Sequence, residues 1–520
     1  MSSRTPSHQR ACPFPAGLIS PHYTVPAILL LALLVLPGCG RLRLRSPARP
    51  DSASSPQLPS LAVGQPVLDQ IRAAAKSAKV VICVLDAARA DHLGCYGYPR
   101  DTTPIIDQLA SESVVFRNHF SPFPATKIST ASLFTGLYPD KLSFDKDKAL
   151  DDGIFTLAQG LKAAGFQTAL FSSNFVASPA TGVGLDFEHV FAKPLPPGWS
   201  KVERISLPDE NTWRTPEGLT QVFSRWLAGA RSTRFFAYCH FLPPHTPYNA
   251  PDDAKDYFAQ QPPTNVRQGP FEFPETRPAY GTVLYGAQQW ANLYDANLRW
   301  GDWGVGEIVK SLREQGVLDN TLLIITADHG EAFGEHGYIY HAQAVYDEAV
   351  HIPLLIRFPG KQRLTGDVTA LTQTVDVLPT ILDLYGIPYP RDSAQGHSLL
   401  PLLDGAQRSL RDYAFATCEE PWPSYLVRNS NWSLILYRGG KLRALYDLRT
   451  DPGQLHNVIA EHSKTAAAMT AAFNTFARTQ KPGIAQFLSS TAAARPSPPG
   501  RQRQMSGPAR RELRALGYLK

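Results

Sequence analysis

The sequence is poor in cysteine and in charge. It has six cysteines among 520 residues, and their spacing forms no CxxC pair and no zinc-cluster pattern. Cys83 and Cys239 lie in apolar, strand-like segments, where buried free thiols are common, so we assign cysteine no catalytic role. Charged residues make up 18% of the chain and hydrophobic residues 43%. This balance is typical of a globular protein and excludes a disordered one.

Net positive charge is confined to the two ends of the chain. The formal net charge is +6, but residues 1–50 hold six arginines and no acid, and residues 491–520 hold seven basic residues and one Glu. Between these ends there are 38 basic and 44 acidic residues. A mildly acidic body with basic ends argues against nucleic acid as the main partner.

An apolar run, VPAILLLALLVLP, occupies residues 25–37. Its 13 residues are too few to cross a bilayer comfortably and suit the hydrophobic part of a signal peptide. The run continues into LPGCG, which resembles a bacterial lipobox in which Cys39 receives the lipid. We therefore expect export to the cell envelope and membrane attachment through lipid on Cys39. An ordinary secretion signal and an uncleaved anchor are the alternatives.

Pattern and composition divide the chain into five parts. They are a signal peptide with lipobox (1–39), a linker (40–77), a main domain (78–409), a C-terminal subdomain (410–480) and a basic tail (481–520). In the main domain, buried-strand patterns alternate with helical ones, the longest helical pattern covering about residues 284–315. This alternation predicts an α/β fold with a mostly parallel central sheet covered by helices on both faces. Short strand patterns after residue 410 and a helix over 460–478 predict a small antiparallel subdomain.

Polar side chains cluster where three predicted strands end. These residues are Asp86; Asp328, His329 and Glu331; and His240 and His245. Because sites in open α/β sheets form beyond the carboxyl ends of the strands, we expect them to converge. Two carboxylates and an imidazole suit one divalent cation. Either aspartate alone could instead cap a turn, and His240 could be a strand-end histidine of structural importance only.

Several blocks of the sequence resemble a known enzyme family. VVICVLDAARADHLGCYGYPRDTTPIIDQLASESVVF, TASLFTGLYP, TLLIITADHGEAFGEHG, YDEAVHIPLLIRFPG and LYDLRTDPGQLHN are similar to successive signature blocks of the sulfatase family, within the alkaline-phosphatase superfamily. They stand in family order over about residues 78–480. The resemblance implies an alkaline-phosphatase-like fold, hydrolysis of sulfuric or phosphoric esters and one divalent metal ion.

The resemblance implies a metal site with one ligand fewer than usual. Asp86 matches the first metal carboxylate of the family, and Asp328 with His329 matches the second pair. The acid that normally follows the first carboxylate is replaced by Ala87. Thr126 stands at the nucleophile position, where it would also bind the metal. With a carboxylate lost and an imidazole present, we expect manganese or zinc in preference to calcium.

The nucleophile motif departs most from the family. Its Cys-x-Pro-Ser-Arg pattern reads TKIST here, so Thr126 replaces the cysteine and only Ser129 survives. Without Cys or Ser at this position, the formylglycine of sulfatases cannot be made. The sulfate-binding lysine and histidine of the family are replaced by Ser173 and Phe175.

These departures carry a chemical expectation. Formylglycine hydrate can expel sulfate by elimination, which threonine cannot, whereas a phospho-threonine can be hydrolysed. We therefore expect a metal-dependent hydrolase in which Thr126 attacks phosphodiester or phosphonate-type esters in preference to sulfate esters. His245 matches the active-site histidine of the second half of the family sequence, and His341 matches the basic residue that faces the leaving group. One of the two would protonate the departing oxygen.

Three other functions remain open at this point. One is a sulfuric ester hydrolase that works without formylglycine. Another is a transferase that moves a phospho-headgroup at the membrane, and the third is an inactive surface binding protein. The substrate could be a small molecule, a glycan or a lipid, in each case an anionic ester.

The N-terminal pattern generates the first prediction. If the signal is cleaved at the lipobox, the mature protein begins at Cys39 and partitions with membranes. Mass spectrometry of the mature N-terminus measures this directly. A chain that still begins at Met1 and stays in the cytoplasmic fraction would contradict it.

Overall fold

The structure is a computed structural model of the chain. It describes residues 61, 63–143, 150, 153–184, 186–192, 210–261, 273–277, 281–361, 363–419, 423–437 and 443–480. The predicted signal peptide, the lipobox at Cys39 and the basic tail lie outside these residues. In the part of the chain that is described, no helix combines the length and apolarity needed to cross a bilayer.

An eight-stranded sheet forms the centre of the main domain. Its strands, in chain order, are β1 (Lys79–Leu85), β2 (Val114–Phe120), β3 (Gln167–Ser172), β4 (His189–Ala192), β5 (Phe235–Phe241), β8 (Thr321–Ala327), β11 (Leu354–Arg357) and β12 (Gly366–Gln373). Across the sheet they run β12-β2-β11-β8-β1-β5-β3-β4. Every pairing is parallel except those of β11 with β8 and β2. The predicted mostly parallel sheet is confirmed.

Two short hairpins lie outside this sheet. They pair β6 (Phe273–Arg277) with β7 (Gly281–Tyr285) and β9 (Ala332–Phe333) with β10 (Ile339–Tyr340).

Both faces of the sheet are buried, as its continuous apolar strands require. In β1, successive side chains alternate between two separate hydrophobic cores: Val81, Cys83 and Leu85 enter one, and Val80, Ile82 and Val84 enter the other. Helices cover both sides. They are α1 (Gln65–Ala75), α2 (Pro104–Ala110), α3 (Thr126–Thr135), α4 (Leu157–Ala163), α5 (Glu210–Trp213), α6 (Pro216–Ala230), α7 (Asp252–Ala259), α8 (Ala287–Glu314), α9 (Asp347–Val350), α10 (Val377–Tyr385) and α11 (Leu400–Leu403).

Two helices bear directly on the sequence predictions. The 28-residue α8 matches the helix predicted over about 284–315. The linker predicted for residues 40–77 is wrong in its last part, because α1 forms there and buries Leu68, Ile71 and Ala75. Their spacing of three and four residues places them on one helical face. That apolar stripe, packed against the sheet, makes residues 65–75 part of the domain.

The C-terminal subdomain is a four-stranded antiparallel sheet covered by one helix. Its strands are β13 (Ala414–Cys418), β14 (Ser424–Arg428), β15 (Trp432–Tyr437) and β16 (Arg443–Asp447), in that order, followed by α12 (Ser463–Thr479). Arg428 on β14 forms an ion pair with Asp347 of α9 at 3.0 Å, which joins the subdomain to the main domain. The predicted antiparallel subdomain is confirmed.

A close backbone approach fixes the loop after β8. The Gly330 amide donates to the carbonyl oxygen of Ala349 at 2.8 Å. A Cβ atom at Gly330 would lie 2.1 Å from the carbonyl oxygen of Glu348. Because the obstacle is backbone, a side chain at this position would displace either the loop or α9.

We predict that Gly330→Ala lowers the free energy of unfolding by about 1–3 kcal/mol, the range for overpacking a well-packed site. Gly229→Ala is the matched control, because Gly229 is exposed on α6 and an added Cβ meets nothing within 4 Å. Denaturant unfolding of both variants measures the difference. Equal stability of the two would contradict the steric account.

Candidate active site

Four neighbouring strands of the central sheet end at one place. In the order β8-β1-β5-β3, they bring together Asp328 after β8, Asp86 after β1, His240 within the end of β5, and Asn174 just beyond β3. All four side chains are buried, with relative exposures of 0–1%. Parallel strands end at a common edge, so residues far apart in sequence meet here.

Each of the two aspartates has one oxygen held by two donors. Asp328 Oδ1 accepts the backbone amides of Ala87 at 3.1 Å and His329 at 2.9 Å. Asp86 Oδ2 accepts the side-chain amide of Asn174 and pairs with Nε2 of His240 at 3.0 Å. Among the described residues, the other oxygens, Asp86 Oδ1 and Asp328 Oδ2, have no hydrogen-bond partner.

His329 faces these two free oxygens and the hydroxyl of Thr126. Nε2 of His329 lies 3.6 Å from Asp86 Oδ1, 3.5 Å from Asp328 Oδ2 and 3.1 Å from the Thr126 hydroxyl oxygen. Nδ1 of His329 lies 2.8 Å from the carbonyl oxygen of Gly330, which can only accept, so Nδ1 carries the proton. Nε2 is therefore the nitrogen that faces the carboxylates and the hydroxyl.

The separations of donor atoms from His329 suit one divalent cation. Ligands about 2.1 Å from a tetrahedral ion lie roughly 3.4 Å from one another, and the separations at His329 are 3.1, 3.5 and 3.6 Å. Two buried carboxylate oxygens without partners are costly unless a positive charge lies between them. The residues present thus match the divalent ion expected from the sequence. Ligand atoms of Asp86, His240 and Asp328 also lie within 4.8 Å of one another.

The pKa values report the same demand for positive charge. Burial disfavours the charged imidazolium of His329, but Asp328 and Asp86 outweigh it and raise the pKa of His329. Burial also opposes ionisation of Asp86, yet the surrounding histidines, His245 first, hold the pKa of its carboxyl well below its ordinary value. A cation or a proton is stabilised at this point of the structure.

His245 and His341 lie at the rim of this cluster. The ring centroids of His341 and His329 are 4.5 Å apart, and those of His245 and His341 are 4.8 Å apart. His341 Nδ1 lies 3.0 Å from Oε1 of Glu331, and His245 Nδ1 contacts the carbonyl oxygen of Thr246. In each ring Nδ1 is thus engaged by an oxygen.

Burial shifts the pKa of the rim groups toward their neutral forms. It lowers the pKa of His245, lowers that of His341 to about 3 and raises that of Glu331 to about 7. The neighbouring His329 adds to the shift of His341.

Backbone strain is concentrated around these residues. Ala87, Tyr340 and Ala342 have φ values of 63°, 66° and 62°. Residues other than glycine rarely adopt this region, and such strain is often found at functional sites. Here it follows Asp86 directly and flanks His341 on both sides.

Thr126 is positioned by the start of α3. It is the first residue of that helix, which ends at Gly136 with φ 69°. The helix N-cap is Ala125, so Thr126 does not serve as the N-cap. Ser129, one turn later, donates its hydroxyl to the backbone carbonyl of Asp328, which ties α3 to the end of β8.

Ser173 and Phe175 stand at the two positions where the family has basic residues. The Ser173 hydroxyl lies 3.1 Å from the carbonyl oxygen of His240 and accepts the amide of Leu242 at 2.8 Å. Phe175 packs in a small apolar cluster with Leu242. Neither side chain supplies positive charge for an anionic substrate.

All six residues predicted from the sequence lie in this site: Asp86, Thr126, His245, Asp328, His329 and His341. Sequence reasoning placed His240 in the cluster without giving it a role, and it missed Asn174. Both had a positional signal, since β5 ends next to β1 and β3 ends next to β5. An uncharged amide and a histidine in an apolar run do not by themselves indicate a site.

Comparison with protein-family models gives two matches. Residues 78–387 match the sulfatase family, and residues 334–478 match the C-terminal region of N-sulphoglucosamine sulphohydrolase.

Curated relatives are sulfatases. Arylsulfatase K of Rattus norvegicus is 26% identical over 412 residues, which cover 69% of this chain and 70% of the relative. The match to arylsulfatase K of Bos taurus is 34% identical but spans only 32% of that relative. An N-acetylglucosamine-6-O-sulfatase of Bacteroides thetaiotaomicron is 31% identical over 34% of each chain.

Solved structures show the same fold. Phosphonate monoester hydrolase of Agrobacterium radiobacter superposes with a TM-score of 0.62 at 22% identity, covering 77% of this chain and 95% of that one. A structure in complex with D-glucosamine-2-N,6-O-disulfate has a TM-score of 0.62 at 20% identity and covers 78% and 98% of the two chains.

The buried carboxylate pair, the strand order that produces it and a family match across most of the main domain lead to one assignment. The chain belongs to the sulfatase family and is a sulfatase-like ester hydrolase.

Proposed function

We propose that the protein is a metal-dependent hydrolase of anionic esters in which Thr126 is the nucleophile, acting on phosphodiester or phosphonate-type esters in preference to sulfate esters. The observation that carries the proposal is the position of the Thr126 hydroxyl. It lies 3.1 Å from Nε2 of His329, the nitrogen that faces the two free carboxylate oxygens of Asp86 and Asp328.

Asp86, Asp328, His329 and Thr126 would hold the divalent ion. When bound, such an ion lowers the pKa of a neighbouring hydroxyl and offsets negative charge on a transferred group. The chain itself orients the hydroxyl, because Thr126 is fixed by the first turn of α3 and Ser129 anchors that helix to Asp328. Thr126 is fully buried, with 0% exposure.

His245 and His341 are the groups placed to move a proton. Their Nδ1 atoms contact Thr246 O and Glu331 Oε1, and these contacts orient the two rings. In this proposal one of them protonates the departing oxygen with the proton that the Thr126 hydroxyl loses on attack, and water then releases the product from Thr126.

The preference for phosphorus follows from the nucleophile and from its surroundings. Threonine lacks the second hydroxyl through which formylglycine hydrate expels sulfate. At the positions that carry lysine and histidine in the family, Ser173 is bonded to backbone and Phe175 is packed in an apolar cluster. A different distribution of charge on the substrate is consistent with both changes.

Sulfate ester hydrolysis is the second candidate, because the curated relatives are named sulfatases. One of them is an ulvan-active sulfatase of Formosa agariphila, 27% identical over 351 residues. The substrate classes that we propose are therefore small-molecule and glycan anionic esters. Paired turnover assays with aryl phosphodiesters, aryl phosphonates and aryl sulfates decide between the two reactions.

Metal binding provides one prediction. We expect Asp328→Asn to lower affinity for Mn²⁺ at least tenfold, because it removes one of two buried negative charges without changing side-chain volume. Asp302→Asn is the matched control: Asp302 is also 1% exposed and also accepts two backbone amides, those of Ile105 and Ile106 at 3.1 and 2.8 Å. Titration of metal-free protein with Mn²⁺ measures both. Equal affinity in the two variants would remove the metal from the proposal.

The nucleophile provides another prediction. Loss of a covalent nucleophile typically lowers the rate on the order of 10³-fold or more, so we expect this loss in Thr126→Ala and partial activity in Thr126→Ser. Thr135→Ala is the control, since Thr135 lies at the other end of α3 and, within the described part of the chain, bonds the neighbouring backbone at Ala131 O and Leu137 N.

Turnover and melting temperature are measured for all three variants. Thr126→Ala activity within about tenfold of wild type would reduce Thr126 to a structural role. Sulfate esters turned over faster than phosphodiesters would overturn the substrate preference and leave the nucleophile in place.

A further inference from the structure

We infer that His240 and Asn174 are positioning residues for the metal site: by holding Oδ2 of Asp86, they direct Oδ1 toward the cation. The inference rests on the proposed function and deepens it, because it concerns how this chain compensates for Ala87 at a position where the family has an acid.

The carboxylates of Asp328 and Asp86 are hydrogen-bonded in the same way. Asp328 Oδ1 and Asp86 Oδ2 each receive two donors, while in the described part of the chain Asp328 Oδ2 and Asp86 Oδ1 receive none. An oxygen that accepts two hydrogen bonds has used its lone pairs and is a poor metal ligand. Each carboxylate therefore offers one oxygen, in a fixed direction.

The nitrogen that faces the cation belongs to His329. His240 Nε2 lies 3.0 Å from Asp86 Oδ2, the oxygen already held, and 3.9 Å from Asp328 Oδ2. His329 Nε2 faces the two free oxygens at 3.6 and 3.5 Å. His240 thus acts on the carboxylate of Asp86, and His329 is the imidazole placed to bind the ion, although the ligand atoms of His240 and both aspartates lie close together.

Both donors to Asp86 are themselves fixed. His240 Nδ1 lies 2.9 Å from the hydroxyl of Tyr238. A carboxylate can only accept, so Nε2 of His240 carries the proton and Tyr238 donates to Nδ1. Asn174 Oδ1 accepts the amide of Val176 at 2.8 Å, which turns its NH₂ group toward Asp86. Neither donor can reorient without losing a second hydrogen bond.

Ala87 makes the orientation of the two remaining carboxylates more important. With two carboxylates instead of three, the direction of each remaining oxygen matters more for affinity. Asp328 is oriented by backbone amides, which any sequence would supply, one of them from Ala87 itself. Asp86 is oriented by side chains. Residues that orient metal ligands in this way typically contribute about 10–100-fold in metal affinity.

The test uses the full chain and Mn²⁺ as the probe. We expect His240→Gln and Asn174→Leu each to weaken the Kd for Mn²⁺ by about 10–100-fold, and Tyr238→Phe to weaken it by less. His119→Gln is the matched control: His119 is a buried strand histidine with a single hydroxyl partner, Thr372, at 3.0 Å. It should leave the Kd unchanged. Melting temperatures of the metal-free variants identify any that fail to fold.

Electron spin-echo envelope modulation separates positioning from ligation. The signal of a nitrogen bound directly to Mn²⁺ should persist in His240→Gln, measured at saturating Mn²⁺, and disappear in His329→Gln. Loss of a directly bound nitrogen in His240→Gln would make His240 a ligand and overturn the inference. An unchanged Kd in both His240→Gln and Asn174→Leu would also overturn it.

The two proposals fail in different ways. If wild-type protein binds no Mn²⁺, the proposed function and this inference fall together. If binding is lost in Asp328→Asn but unaffected by changes at His240 and Asn174, the proposed function stands and only this inference falls.

Discussion

Two buried carboxylates, Asp86 and Asp328, end adjacent parallel strands, and the surrounding groups are arranged around their charge. Burying two negative groups together is unfavourable unless donors and a positive charge compensate them. Two donors hold one oxygen of each carboxylate, and His329 faces the other oxygen of each. The position of Thr126 follows from this arrangement, because its hydroxyl lies beside the same imidazole.

The fold tolerates this cluster because the hydrophobic cores that stabilise the domain lie away from the site. Continuous apolar strands bury both faces of the sheet, so hydrophobic burial stabilises the domain far from the strand ends. At the carboxyl edge, that stability supports unfavourable features: orphan carboxylate oxygens, and left-handed backbone at Ala87, Tyr340 and Ala342. The hydrogen bond from the Gly330 amide to the carbonyl oxygen of Ala349 holds the loop that carries His329.

Much of this could be predicted from the sequence, for identifiable reasons. Strand-end acids and the helix stop at Gly136 are local patterns. The reversed direction of β11 is not, because an apolar run has no direction of its own. The apolar stripe of α1 was present in the sequence, but the Pro- and Ser-rich segment before it led to its assignment to the linker. His240 was ambiguous because its partner, Asp86, is 154 residues away, and the orientation of Asn174 depends on a backbone amide that no sequence pattern reveals.

The central claim is that Thr126 forms a covalent bond with the transferred group, and trapping that adduct tests it most directly. The metal-loaded protein is mixed with a slowly released aryl phosphonate or phosphodiester, quenched in acid during turnover, digested and mapped by mass spectrometry. The account predicts the phosphorus group on the peptide that contains Thr126, and on its side chain. Turnover that leaves Thr126 unmodified, with the adduct on another residue or on none, would contradict it.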